Sequence, residues 1–259
     1  MIRLEGGRFL MGADEPDGWP EDGEGPVRKV TLSPYWLDAT TVTNAQFAAF
    51  VEATGYRTEA ERFGWSYVFE LLVPGKILRK LEGRRRVQGL NWWVGVEGAC
   101  WRKPEGPGSY IKKRMDHPVV HISWNDAAAY AAWSGKRLPT EAEWENAARG
   151  GLVQQRYCWG SELTPGGKHR CNIWQGEFPR RNSAEDGYVG TAPARSFPPN
   201  GHGFYNMAGN VWEWCADWFS PAWHVPESPE TRIDPKGPDH GQSRVMRGGS
   251  YLCHDSYCN

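Results

Sequence analysis

The sequence predicts a single α+β domain in which much of the backbone is irregular. Fifteen tryptophans stand among 31 glycines and 19 prolines, a pattern of large rigid side chains joined by turns rather than of long helices. Three stretches carry both helix-start and helix-stop signals, and a period-2 alternation of apolar and polar residues sits near the N-terminus. At 259 residues the chain can bury a sizeable core, and no internal repeat or linker divides it.

Taken in order, Gly6 to Gly12 reads as a short strand between glycine turns, and the acidic stretch Asp14 to Glu24 as a solvated loop. Val27 to Leu32 alternates, the mark of a half-buried strand, and Tyr35 to Asp38 continues after Pro34. Thr43 and Gln46 make a capping box for a first helix, with Phe47, Phe50 and Val51 on one face and Gly55 as its stop. A second helix starts near Ser123, with Asp126 three residues on, and runs through Ala127–Trp133 to Gly135. The third opens at Thr140 with Glu143 and runs to Arg149 before Gly150 and Gly151. Between the first two helices, Thr58 to Pro118 reads as a long insertion. Its basic run, Lys76 to Arg86, is interspersed with Leu78, Leu81 and Glu82, which suits a solvated amphipathic segment better than a nucleic-acid patch. Trp92, Trp93 and Trp101 on this insertion are candidates for a binding groove or for loop packing.

A formal net charge of −1 supplies no electrostatic basis for binding nucleic acid or an anionic membrane. The N-terminus is charged at once, and no apolar run reaches the ~18 residues that a membrane span requires. A cytoplasmic location is therefore expected, and a monomer is the expected state. In that reducing setting six cysteines are more often buried thiols, ligands or catalysts than disulfides. Cys100, Cys158 and Cys215 each stand singly beside a large aromatic residue, Cys171 stands between Arg170 and Asn172, and core packing is the reading for most of the four. Cys253 and Cys258 are the exception, separated by four polar, turn-prone residues and preceded by Gly248-Gly249. In a straight strand they would lie roughly 16 Å apart, and in a helix about 7.5 Å apart along the axis and well round from each other. A shared metal or a disulfide requires a turn, which Asp255 and Ser256 favour. From spacing alone a disulfide is the first reading. A zinc site with His254 is weaker, because adjacent Cys and His rarely face one metal.

After Gly151 regular structure thins into oxygen-rich turns around Asn172–Tyr188 and Asn206–Trp214. Such oxygens suit a hard cation such as Ca²⁺, or they satisfy loop backbone. From spacing alone the second reading is preferred.

Several blocks together resemble the formylglycine-generating enzyme, or sulfatase-modifying factor, family. They are Gly7 to Gly12, Pro118 to Ala127, Gly135 to Glu145, Met207 to Trp214, and Arg247 to Ser250, the last running on into Cys253 and Cys258. The resemblance covers nearly the whole chain. It implies a variant C-type-lectin-like fold over residues 1–259, with the family domain continuing beyond Asn259. It implies an oxidase that converts a cysteine in a Cys-x-Pro-x-Arg segment of an unfolded or nascent sulfatase into Cα-formylglycine with O₂. Cys253 and Cys258 would hold Cu(I), with Ser250 a polar contact and Trp212 a pocket wall. Structural calcium would bind at Asn172, Ile173, Asp186 and Tyr188, and again at Asn206, Gly209, Val211 and Glu213. The substrate groove would draw on Trp92, Trp93 and Trp101. The alternative is a non-catalytic lectin-like module for a peptide or glycan, with a structural Cys253–Cys258 disulfide.

Overall fold

The computed structural model of the chain describes residues 1–14, 18–81 and 86–254. Residues 15–17 of the acidic stretch, 82–85 of the basic run and Cys258 lie outside them. Four N-terminal strands, β1 (Ile2–Leu4), β2 (Gly7–Met11), β3 (Arg28–Leu32) and β4 (Tyr35–Leu37), form two antiparallel ladders, β1 with β4 and β2 with β3. The alternation in β3 does what its period requires: Arg28, Val30 and Leu32 point inward while Lys29 and Thr31 face solvent.

Helix α1 (Asn44–Thr54) begins at the Thr43–Gln46 capping box and ends where Gly55 turns left-handed at φ 68°. The insertion is more ordered than a loop. Thr58 and Glu61 make a further capping box for α2 (Glu59–Phe63). β5 (Trp65–Phe69), α3 (Gly75–Leu78), β6 (Arg86–Val87) and β7 (Leu90–Glu97) follow, the strands ordered β5-β7-β6 in one antiparallel sheet. Ile77, Leu78 and Leu81 cover Val68, Val94 and Val96, so the apolar side of the basic run closes a small core of its own. Helices α4 (Trp124–Trp133) and α5 (Glu141–Arg149) start at Ser123 and Thr140, each with its capping box formed. The C-terminal half adds the short ladder of β8 (Gly176–Glu177) with β9 (Arg181–Asn182). β10 (Glu213–Trp218), the short helix α6 (Pro229–Arg232) and β11 (Arg244–Arg247) follow, with Glu213 opposite Arg247 in the β10–β11 pair.

The main core joins the N-terminal ladders to α5, β10 and β11 through Met11, Val30, Leu32, Trp144, Phe204 and Cys215. A second core is aromatic and lies between α1 and α4. Here Trp101 corrects the groove expectation: it is only 2% exposed, with its ring edge-on to Phe47 at 5.2 Å. An aromatic pair of this kind contributes about 0.5–1.5 kcal/mol beyond area burial. Trp101 therefore packs and lines no groove.

One buried ionic cluster holds the C-terminal strand to α5. Glu145 accepts from Gly12 N at 2.7 Å and pairs with Arg149 at 2.6 Å and Arg247 at 2.9 Å, while Arg247 also reaches Glu141 at 3.0 Å. Burial alone would push the Glu145 carboxyl up, but Arg247 and Arg149 hold it below the usual range. The last residue of β11 is thereby pinned directly before Gly248-Gly249.

Candidate active site

The site is built from three segments that hydrogen bonds draw together: 172–188, 206–213 and 248–253. Gly248 and Gly249 adopt φ 97° and 73°. A Cβ on Gly249 would stand 3.1 Å from the Cys253 sulfur, a contact tight enough to displace it. Beyond them the chain turns: Cys253 N donates to Ser250 O at 3.0 Å, and Ser250 N donates to the Cys253 Sγ at 3.3 Å. The Ser250 hydroxyl accepts from Leu252 N at 3.2 Å. Trp174 N donates to Cys253 O at 3.0 Å, tying the turn to the segment after Asn172.

Cys253 is disulfide-bonded in this structure, while Cys100, Cys158, Cys171 and Cys215 are free thiols. Burial pushes the Cys158 and Cys171 thiols up to about 12, which leaves them inert as nucleophiles and suits the core reading. As a donor set, a reduced Cys253 offers a soft sulfur already held by one N–H, which fits Cu(I).

Of the first proposed calcium set, Ile173, Asp186 and Tyr188 converge. Asp186 Oδ2 accepts from Ile173 N at 3.0 Å and its Oδ1 from Tyr188 N at 2.9 Å. Asn172 is buried beside them, its Nδ2 donating to Gly190 O at 2.9 Å and its Oδ1 left with no hydrogen-bond partner. In the second set, Asn206 Oδ1 is likewise buried and unpartnered. Glu213 accepts from Trp144 Nε1 at 3.0 Å, and burial pushes its carboxyl up to about 7. Two orphaned amide oxygens, each in a loop that also supplies a carboxylate, fit hard-cation sites, since an unsatisfied buried acceptor otherwise costs about 1–3 kcal/mol. The two loops touch where Gly209 meets Asn172: a Cβ there would fall 2.4 Å from Asn172 O, so only glycine fits.

In front of the turn lies a cavity of about 1060 Å³ whose wall includes Ser250, Tyr251, Leu252 and Trp212. Ser250 and Trp212 thus line the same cavity, and Cys253 follows Leu252 of its wall in the chain. Trp93 also lines the cavity, whereas Trp92 packs edge-on against Phe178 at 5.2 Å, away from it. The rim carries residues that the sequence reading missed: Met1, Trp36, Tyr67 and Met246 line the cavity and remain between 41% and 64% exposed. For Trp36 the one available signal was its outward place in the strand alternation beside buried Tyr35. A bidentate ion pair also faces the cavity, Arg114 to Glu105 at 2.6 and 2.8 Å.

The profile of the sulfatase-modifying factor enzyme 1-like domain matches residues 1–259. The chain belongs to this family. It is 64% identical over 260 residues to the formylglycine-generating enzyme of Thermomonospora curvata, with all of this chain and 84% of that protein covered. It is also 55% identical over 253 residues to the inactive Cα-formylglycine-generating enzyme 2 of Bos taurus, over 97% of this chain and 76% of that one. Among solved structures, PvdO from Pseudomonas aeruginosa superposes with a TM-score of 0.66 at 26% identity, covering 98% of this chain and 82% of PvdO. The α+β architecture with much irregular backbone is that of the sulfatase-modifying family. Active and inactive members stand at comparable identity, so the site's own residues carry the functional argument.

Proposed function

We propose that the chain converts a cysteine in a Cys-x-Pro-x-Arg segment of an unfolded sulfatase into Cα-formylglycine, with O₂ as oxidant and Cu(I) held by Cys253 and Cys258. The observation that carries this reading is the juxtaposition of the cysteine turn with a large cavity rimmed by exposed aromatic and thioether side chains. Small-molecule pockets occupy about 300–1,000 Å³, and a five-residue extended segment is about 17 Å long. An open, apolar-rimmed space of this size fits a stretch of polypeptide better than a small metabolite.

Copper, when bound, supplies the activation of O₂ that no side chain provides. The remaining work falls to the chain's own groups. The Ser250 N–H donates to the Cys253 sulfur and holds it in place at the turn. Trp212, 46% exposed on the cavity wall, offers a flat face that excludes water from one side of the entering thiol. Removal of two electrons and two protons from the substrate's Cβ–S unit gives a thioaldehyde, which water hydrolyses to the aldehyde and hydrogen sulfide. Reducing O₂ to two waters takes four electrons, so two come from an external thiol reductant.

The second reading, a binding module without turnover, is favoured by the disulfide at Cys253 and by the inactive relative. Incubating reduced, copper-loaded protein with a Cys-x-Pro-x-Arg peptide and a thiol reductant in air separates the two. A peptide mass loss with capture by an aldehyde-reactive hydroxylamine is the expected result. Binding of an unchanged peptide selects the module.

A further inference from the structure

We propose that Asn210 is a positioning residue for the thiol site, holding the Cys253 turn against both oxygen-rich loops; this rests on the proposed thiol chemistry. Asn210 is 1% exposed and sits in the left-handed region at φ 65°. Every polar atom it owns is engaged. Its Oδ1 accepts from Ala192 N at 2.8 Å and from Asn172 Nδ2 at 3.1 Å, and its Nδ2 donates to Ala192 O at 3.2 Å. Its backbone N donates to Asn172 O at 2.7 Å, and its backbone O accepts from Tyr251 N at 3.0 Å. With every polar atom of Asn210 engaged, any alternative position of its side chain leaves buried groups unpaired, which holds it in place.

The geometry makes Asn210 a three-way junction. One arm reaches the first oxygen-rich loop at Asn172, and a second fixes Ala192. The third holds Tyr251, two residues before Cys253. The neighbouring bond from Gly209 N to Gly248 O, at 2.7 Å, clamps the start of the same turn. Because Ser250 and Cys253 are closed into one turn by two hydrogen bonds, a shift at Tyr251 moves the sulfur. Asn210 also orients the Asn172 amide: with Nδ2 committed to Asn210 and Gly190, the Asn172 Oδ1 is the atom left free.

Asn210→Gly isolates the side chain, since glycine keeps the left-handed backbone while deleting three hydrogen bonds. Asn210→Asp is the conservative variant, retaining the acceptor and losing the donor to Ala192. Two readouts are taken on reduced protein at a temperature where circular dichroism shows a native fold. They are Cu(I) affinity, by competition with a chromophoric Cu(I) chelator, and the iodoacetamide alkylation rate of Cys253 in metal-free protein, by peptide mass spectrometry. One hydrogen bond is worth about threefold to tenfold in an equilibrium constant. Asn210→Gly is therefore expected to weaken Cu(I) binding at least about tenfold and to change the alkylation rate severalfold, and Asn210→Asp to do so by about threefold. A loss of melting temperature with both readouts at wild-type values would overturn the proposal. Should the glycine variant fail to fold, the aspartate variant decides by the same two readouts. If wild-type protein binds no Cu(I), the copper assignment fails by itself, and the alkylation rates still decide the positioning role.

Discussion

At Asp217 burial outweighs the donor that serves it. The side chain accepts from Glu141 N at 2.8 Å, yet burial, reinforced by the carboxylate of Glu141, pushes its carboxyl up to about 7. An unfolded chain releases that proton near the ordinary value of about 3.9. The folded state therefore binds more protons than the unfolded state across the interval between them. The stabilising contribution is complete below the unfolded value and is lost as pH rises through about 7. Asp217→Asn keeps an acceptor for the Glu141 N–H but does not titrate. Melting curves from pH 4 to pH 8 should show wild type losing stability relative to Asp217→Asn as pH rises. Parallel curves would contradict the assignment. Trp101 teaches a second lesson at this scale. A tryptophan beside a cysteine on an insertion reads equally as lining or as packing, and only its burial against Phe47 decides.

At the scale of elements, the helices were legible because their start signals are local. The capping boxes at Thr43, Ser123 and Thr140 form as their spacing predicts. The box at Thr58 has the same form, but the five-residue helix behind it is too short to show periodicity. β10 and β11 were missed for a different reason. Their pairing joins residues some thirty positions apart, across a bulge between Trp214 and Trp218, and nothing in a short window announces it. The oxygen-rich loops fall between these cases. Their composition was visible, but the orphaned Asn172 and Asn206 oxygens belong to the folded state alone. If these loops hold calcium, a ligand that binds only the folded protein stabilises it by mass action. Excess chelator should lower the melting temperature, and Asp186→Ala and Glu213→Ala should each remove part of that response. An unchanged melting temperature in chelator, with no metal found by elemental analysis, would refute the assignment.

For the whole molecule, the proposed function depends on bringing the N-terminal strands, the insertion and the C-terminal turn around one cavity. Met1 and Trp36 reach it from the first sheet, Tyr67 from β5, and Trp212 and Met246 from the C-terminal half. No local pattern links these positions, which is why the sequence reading placed the groove on the tryptophans of one insertion. The cavity keeps Trp93 of that insertion and adds the exposed rim residues to it. Trp36, 59% exposed, rests on no core, so Trp36→Ala should raise KM for a sulfatase-derived peptide several-fold and leave Cu(I) affinity unchanged. A fall in copper affinity with unchanged KM would remove Trp36 from the substrate surface.

The central claim, that Cys253 and Cys258 act as copper ligands in an O₂-dependent oxidation, is tested most directly by O₂ consumption with substrate peptide and a thiol reductant. Wild type, Cys253→Ser and Cys258→Ser are compared with and without Cu(I), with folding checked by circular dichroism. A hydroxyl is a harder and far less acidic donor than a thiol. Peptide-dependent uptake is therefore expected only in copper-loaded wild type, with both serine variants folded and silent. Full uptake by metal-free wild type, or by either serine variant, would contradict it.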